Sequence, residues 1–480
     1  MSQPIRKLSF VIALTILSHL APFTAPTQAA DNDAQESPDL ATLINNTSFV
    51  WVKPDAATDL QEIAKTFAGK EINLITTYDA LGGFTVQMNP VAAQARLDQL
   101  KSDESEEIKK TANEIDYIES NGAILMFDDS ICNQATTAPL SALSGVEQSH
   151  APWLTRTTGE KSPIQPQGSN FKATVYVIDS GISTVYDDNG TNSYSELNVD
   201  RAHSGICKDS GCTVPGDSDD RLGHGTFVAG IIGAQSNGRW FVGIAPNVKL
   251  IAIKIFDKRP VIDWSVAYQA IDWLAQKVKQ GVVKPGDVVN ISWGGSWDPN
   301  KNHNPRKIEA LLHDMADKGI RISVAAGNRD ALPGSAYVQA ISPARAGAYH
   351  PTVGGGGVFT ASAVDQNDNF WRYSGFGNCS EKKADCDPAL AQEGPPDFAE
   401  PGTDIASLWP GLLMNKCSGT SFSAAILSGI LVQGKSPPVQ ADGRATGDLD
   451  DRVNSNPVSP NYDDPIGVCT QGNDGICHEQ

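Results

Sequence analysis

Two kinds of apolar pattern divide the chain. Between residues 48 and 119 short strand-like and helix-like runs are mixed. Ser48 to Val52 reads as a strand, Asp59 to Phe67 as a helix, and Gly83 to Met88 as an alternating strand. Asn89-Pro90 then starts a helix with Ala93, Leu97 and Leu100 on one face, and Ile115 to Glu119 begins a last strand. That is a small α+β unit. From Lys172 the pattern changes. Thr174 to Ile178, Lys249 to Ile255, Asp287 to Trp293 and Arg321 to Ala326 are apolar, β-branched runs of the kind covered on both faces. Between them, Asp263 to Gln280 and Pro305 to Lys318 read as helices, the first apolar at 3.6 spacing and the second stopped by Gly319. The alternation predicts an α/β fold: a parallel sheet with right-handed crossovers, covered by helices on both faces. Ligands in such sheets bind beyond the carboxyl ends of the strands. Asp179, Ser292 to Gly295 and Asn328 fall there.

The remaining stretches set the expected domains. Residues 1–30 read as a secretory signal peptide: Arg6 and Lys7, an apolar run from Leu8 to about Leu20, then small residues at Thr27-Gln28-Ala29-Ala30. The run is short for a membrane span. Residues 31–128 hold the α+β unit, 129–150 a polar linker with a processing site, 151–433 the α/β domain, and 434–480 an acidic, loop-rich tail. A net charge of -19 argues against nucleic-acid binding. No later run is long enough to cross a bilayer, so the product is expected outside the cytoplasm, in periplasm or medium, with no stable membrane insertion after signal removal. Eight cysteines suit an oxidising compartment. Cys207 with Cys212, Cys379 with Cys386, and Cys469 with Cys477 are expected local pairs. Cys132 and Cys417 either pair or leave Cys417 a buried thiol.

The candidate chemistry centres on Cys417 to Ala424. Ser421 stands among Gly419, Thr420, Ser423, Ala424 and Ala425, and apolar Ile426, Leu427 and Ile430 follow at near-helical spacing. A serine at the first turn of a buried helix has clearance for a carbonyl and a helix N-terminus for an oxyanion. It needs a base and an acid behind it. His224 lies between Gly223 and Gly225, and Asp179 ends a buried strand before Ser180-Gly181. The order Asp, His, Ser excludes an esterase of the α/β-hydrolase type, in which the histidine comes last. Each residue also has a plain reading: a packed helix start at Ser421, a strand-end cap at Asp179, a packing histidine at His224, a turn residue at Asn328.

Together these segments resemble the subtilisin-like serine proteases. Ile178-Asp179-Ser180-Gly181-Ile182, Gly223-His224-Gly225-Thr226 and Ser418-Gly419-Thr420-Ser421 match the three signatures of that family. Ala325-Ala326-Gly327-Asn328 matches its oxyanion segment, and Ser292-Trp293-Gly294-Gly295 the strand that pairs with bound peptide. Residues 48–119 are similar to the family's inhibitory prodomain, and Ala151-Pro152-Trp153 to the start of mature enzymes near proteinase K. The resemblance implies a secreted serine endopeptidase made as a self-processing zymogen, cut between about Asp128 and Val146. Asp179, His224 and Ser421 are its expected triad, and Asn328 the oxyanion donor. Ser292, Trp293, Gly294, Gly295, Ala326 and Gly327 are the expected substrate-binding residues, with Trp293 narrowing one side. The implied partners are protein or peptide substrates and the chain's own prodomain as inhibitor, acting on a monomer. No cofactor is needed for catalysis and no metal joins the site. Structural calcium has candidates at Asp217, Asp219, Asp220 and at Asp448, Asp450, Asp451, against the plainer reading of solvated acidic loops.

Departures from the pattern matter. Phe227 replaces a frequent histidine, Phe422 replaces an oxidisable methionine, and Ala425 replaces a usual proline. Gly354 to Gly357 falls near the expected third pocket wall and would leave it open. Ala425 and the unusual C-terminus suggest the alternative, a non-catalytic scaffold of this type that binds peptides or partner proteins.

Overall fold

The computed structural model describes residues 40–127, 132, 138–139, 171–185, 195–238, 240–296, 306–329, 341–351, 355–375, 396–432, 440–444 and 465–468. Several expectations lie outside them: the signal peptide, most of the linker, Ala151-Pro152-Trp153, the pairs Cys379/Cys386 and Cys469/Cys477, and Asp448, Asp450 and Asp451.

Strand β1 (Ser48–Val52) is buried at every position because it faces two cores. Val50 and Val52 pack with Ile63, Phe67, Phe84, Leu97 and Ile118 inside the N-terminal unit. Phe49 and Trp51, on the other face, join the large core of the rest of the chain. Strands β2 (Leu74–Tyr78), β3 (Gly83–Val86) and β4 (Ile115–Ser120) complete an antiparallel sheet in the order β2-β3-β1-β4. Its helices start where side chains cap them. Asp59 accepts from the N–H of Gln61 ahead of Leu60–Ala68, and Asn89 from that of Ala92 ahead of Pro90–Lys101. β2 and a helix at Glu106–Asn113 were not expected; both are short and neither is strongly apolar.

After β4 come β5 (Ala123–Met126) and β6 (Ala138–Pro139). The larger domain then contributes β7 (Thr174–Asp179), β8 (Gly205–Lys208), β9 (Gly211–Thr213), β10 (Lys249–Lys254) and β11 (Val261–Asp263). Next are β12 (Val288–Ile291), β13 (Trp293–Ser296), β14 (Arg321–Ala325), β15 (Ile341–Ser342) and β16 (Gly357–Val364). The last are β17 (Phe398–Pro401), β18 (Ile405–Trp409), β19 (Leu413–Cys417), β20 (Gln440–Arg444) and β21 (Pro465–Val468). The central sheet runs β20-β21-β17-β16-β14-β12-β7-β10-β8-β9, parallel from β21 to β8. Every described position of β12, β14 and β16 is buried, so both faces are covered. Two helix pairs do the covering. His224–Gly233 packs against Thr420–Leu431, and Trp264–Lys279 against Arg306–Asp317.

Register sets the site. Ile178 of β7 lies beside Ile291 of β12, which lies beside Val324 of β14. Asp179, Ser292 and Ala325 therefore reach one level at the carboxyl edge. Of the glycine run, the described residues Gly355 to Gly357 fall at the opposite edge, since Gly357 pairs with Arg321 at the start of β14. A Cβ on Gly356 would stand 2.1 Å from the Ala316 carbonyl. Gly355 to Gly357 thus closes the far end of the sheet and is no pocket wall. Within 434–480, read as loop-rich, the described residues are the two strands β20 and β21 at the sheet edge.

Candidate active site

The Asp179 carboxylate is fully buried. Its Oδ1 accepts from the Ser180 N–H at 2.7 Å, and the His224 Nδ1 lies 2.8 Å from Oδ1 and 3.0 Å from Oδ2. His224 opens its helix, which brings the imidazole to the end of β7. The approach demands glycine next door: a Cβ on Gly225 would stand 2.1 Å from the Gly181 carbonyl. Asp220 fixes this corner. Its carboxylate accepts from the N–H groups of Leu222, Gly223 and Thr226 and from the Thr226 hydroxyl. Burial pushes the Asp220 carboxyl above its ordinary range, against the pull of the Gly223 and Thr226 bonds.

Ser421 lies in the first turn of its helix, and Phe422 beside it sets its ring 5.8 Å from the imidazole. Phe422 also packs on Phe227 at 4.7 Å, so the two departures from the family pattern fill one space. Ser292 joins β12 to this helix, its hydroxyl donating to the Ser421 carbonyl at 3.1 Å.

A residue that sequence reasoning missed occupies the centre. The Phe127 carbonyl oxygen lies 2.6 Å from Ser421 Oγ and accepts from Asn328 Nδ2 at 3.1 Å. Ser421 Oγ also lies 3.1 Å from the Ser292 carbonyl, to which its hydroxyl proton is the alternative donor. β5 carries Phe127 there, lying antiparallel between β11 and β13, with Trp293 opposite Met126 and Gly294 opposite Leu125. The Phe127 N–H donates to the Ser292 carbonyl at 3.2 Å. The Phe127 ring is fully buried, and the Cβ positions of Gly294 and Gly327 would lie 2.6 and 3.6 Å from its Cζ. Ile341 forms the third side, with its Cδ1 2.5 Å from a Gly327 Cβ. The available signal was the apolar run Ala123 to Phe127 between Gly122 and Asp128, which reads equally well as an ordinary core strand.

Thr420 is the second omission. Its N–H and hydroxyl donate to Asn328 Oδ1 at 3.0 and 2.9 Å, and the hydroxyl accepts from the Gly327 N–H at 3.0 Å. With Oδ1 engaged, the Asn328 amide must turn its N–H groups toward the Phe127 carbonyl.

Of the expected substrate-binding residues, Gly294 and Gly327 meet the Phe127 ring, while Ser292 contributes its backbone. Gly295 lies under β5, where a Cβ would stand 2.6 Å from the Ala123 carbonyl. Ala326 is buried behind, its N–H bonded to the Ala361 carbonyl. Strand alternation turns the Trp293 side chain to the face opposite the Gly294 position that meets the Phe127 ring, and its Nε1 donates to the Ile178 carbonyl at 2.8 Å. It anchors β13 to β7.

The calcium candidate at Asp217, Asp219 and Asp220 does not fit a metal. Asp220 is taken up by its helix start. Buried Lys254 donates to the Asp219 carbonyl at 2.7 Å and pairs with Asp257 at 2.7 Å and Asp217 at 3.5 Å. Arg221 bonds Asp217 and Asp257. Against the upward push of burial, the Arg221 and Asp219 bonds and the Lys254 charge hold the Asp217 carboxyl below its usual range. Among the described residues no group of His, Cys, Asp and Glu could hold a metal ion.

The fold is α/β, with a buried acid–imidazole pair at the carboxyl edge of its parallel sheet and a helix-borne serine nearby. The Peptidase_S8 model, described as the subtilase family, matches residues 171–440, and the chain belongs to that family. It is 30% identical over 258 residues to a subtilisin-like protease of Coccidioides posadasii, covering 53% of this chain and 50% of that protein. It is 26% identical over 309 residues to the cuticle-degrading protease of Metarhizium anisopliae, covering 62% and 65%. Proteinase R of Parengyodontium album is 25% identical over 289 residues, covering 59% and 60%. The chain thus spans between half and two thirds of these relatives' lengths. The epidermin leader peptide processing serine protease of Staphylococcus aureus shares the fold, with a TM-score of 0.54 and 17% identity over 80% of this chain and 87% of that one.

Proposed function

We propose that the chain is a secreted serine endopeptidase, made as a zymogen that cuts itself after Phe127 and then acts as a monomer on other proteins and peptides. The observation that carries this reading is the Phe127 carbonyl, whose oxygen accepts from the Ser421 hydroxyl at 2.6 Å and from Asn328 Nδ2 at 3.1 Å, which sets the bond after Phe127 at the serine. Ser421 Oγ attacks that carbonyl carbon while His224 takes its proton. The amine of Asp128 leaves with the proton His224 returns, and water then releases the Phe127 carboxylate from the acyl-enzyme by the same route in reverse. Asp179 holds the imidazole tautomer and balances its charge. Asn328 Nδ2 and the Ser421 N–H stabilise the oxyanion, and losing such a donor costs about 2.7–4 kcal/mol in subtilisin itself.

The N-terminal unit is then a folded inhibitor. It binds through β5 and through the helix Trp264–Lys279, where Asp272 accepts from the N–H groups of Ala80 and Leu81 and Gln269 donates to Thr76. Buried Glu119 accepts from Trp51 at 2.6 Å within the unit and from Tyr268 at 2.8 Å across the same contact. Export rests on the expected signal peptide; no helix of the described residues is long and apolar enough to cross a membrane.

The test is Ser421→Ala. The purified variant must remain a full precursor and leave casein intact, while the wild type loses its N-terminal unit and starts at Asp128. A wild-type precursor that stays intact and hydrolyses nothing supports the non-catalytic scaffold instead.

A further inference from the structure

The ladder that holds β5 continues past the strand. β11 pairs with β5 antiparallel, with Val261 opposite Leu125, Ile262 opposite Ile124 and Asp263 opposite Ala123. The Met126 N–H donates to the Pro260 carbonyl at one end, and the Trp264 N–H to the Gly122 carbonyl at the other, each at 3.1 Å. Asp263 is both the last residue of β11 and the cap of the helix Trp264–Lys279, so the chain upstream of Gly122 meets a helix start. These backbone bonds accept any sequence. At Asn121 side chains take over. Counting Phe127 as the first residue on the acyl side of the cut bond, Asn121 is the seventh, and it is only 6% exposed. Its Oδ1 accepts from the Trp264 N–H at 3.2 Å and the Gly122 N–H at 2.8 Å. Its Nδ2 donates to Asp263 Oδ1 at 3.1 Å and to Thr47 Oγ1 at 2.7 Å.

We propose that the Asp263 carboxylate and the Trp264 N–H form an upstream subsite that selects asparagine at the seventh residue on the acyl side of a substrate's cut bond. This rests on the proteolytic reading, with β5 standing where a substrate lies. Asp263 and Trp264 belong to the larger domain and stay behind when the N-terminal unit leaves. Asp263 is a fixed acceptor, because its Oδ1 also takes the Ser265 N–H at 2.9 Å and the Ser265 hydroxyl. Beside it the Trp264 N–H is a fixed donor. One acceptor and one donor side by side match a carboxamide, which offers an N–H and an oxygen in the same plane. An aspartate in that place turns a second carboxylate on Asp263, and an alanine meets neither group. Thr47 leaves with the N-terminal unit, and in a substrate complex water takes the proton that it accepted. The substrate class is therefore a protein segment that lies extended over seven residues and begins with asparagine.

The experiment uses matured enzyme freed of its N-terminal unit. Its substrates are the acetylated heptapeptide p-nitroanilide with the sequence of Asn121 to Phe127, and the tetrapeptide anilide of Ile124 to Phe127 as a control. Asn121→Ala in the peptide is expected to lower kcat/KM about tenfold, the worth of a hydrogen bond to a charged group. Asn121→Asp is expected to lower it about thirtyfold, because two carboxylates then face each other. In the enzyme, Asp263→Asn keeps a helix-capping side chain. It should bring the ratio of the Asn to the Asp peptide within about threefold, since its amide donates to a carboxylate. Each ratio compares substrates on one enzyme, so a loss of folded protein does not move it. Wild-type ratios within about twofold of one, or an unchanged ratio of the Asn to the Asp peptide in Asp263→Asn, overturn the subsite alone when the tetrapeptide is cut. Wild type that releases p-nitroaniline from none of these peptides overturns the proteolytic reading itself.

Discussion

The hydroxyl of Thr420 donates to Asn328 Oδ1 at 2.9 Å and, together with the Thr420 N–H at 3.0 Å, turns the N–H end of the Asn328 amide toward the Phe127 carbonyl. A side chain adjacent to the nucleophile thereby orients a donor 92 residues away in sequence.

Thr420→Val should lower kcat about 10- to 100-fold with KM changed less than twofold, the cost of one to two hydrogen bonds to a developing charge. Thr420→Ser should restore most of the rate. Steady-state kinetics on a Phe anilide checks both, and a loss confined to KM would show that Thr420 shapes the pocket instead.

Pocket size follows from Gly294. A side chain there collides with the Phe127 ring, its Cβ at 2.6 Å from Cζ. Gly294→Val should cut kcat/KM for Phe substrates about 10- to 100-fold, the worth of burying an aromatic ring, and leave Ala substrates within about threefold. The same variant should accumulate uncut precursor on a denaturing gel.

Asp272 gives a pH test with an unexpected sign. Burial raises its carboxyl above 3.8, opposed by the Leu81, Gln276 and Ala80 bonds. A raised folded pKa means that folding penalises the charged form. The penalty is complete above the folded pKa and fades as pH falls through it toward the unfolded value. The precursor should therefore gain stability relative to Asp272→Asn as pH drops from 7 toward 4. Melting temperatures of both proteins across that range test it; a gap that widens against the wild type on acidification refutes it.

Peroxide resistance follows from Phe422 packed on His224 and Phe227, where the family often has methionine. The neighbouring Cys417 carries no thiol, being bonded to Cys132. Matured enzyme should keep most of its activity in millimolar peroxide, and Phe422→Met should lose it, with a mass gain of one oxygen.

Much of this was legible in one dimension. β7, β12 and β14 announced themselves as unbroken β-branched runs, and the helices Trp264–Lys279 and Arg306–Asp317 by period and by Gly319. The glycines around His224 and Ser421 were legible because clearance at a reacting group is a local demand. The strands β16 to β19 were not foreseen, and neither was β5, since short apolar segments carry no mark of what they will lie against.

What the linear order determined, then, was the set of elements and the residue types able to do acyl chemistry, because backbone propensity and periodicity act between near neighbours. Tertiary structure alone decided that Phe127 meets Ser421 across 294 residues, that Cys132 closes on Cys417, that Trp293 turns inward, and that Lys254 fills the acidic turn. Those pairings come from sheet register and the burial of two facing surfaces, which no local stretch of sequence encodes.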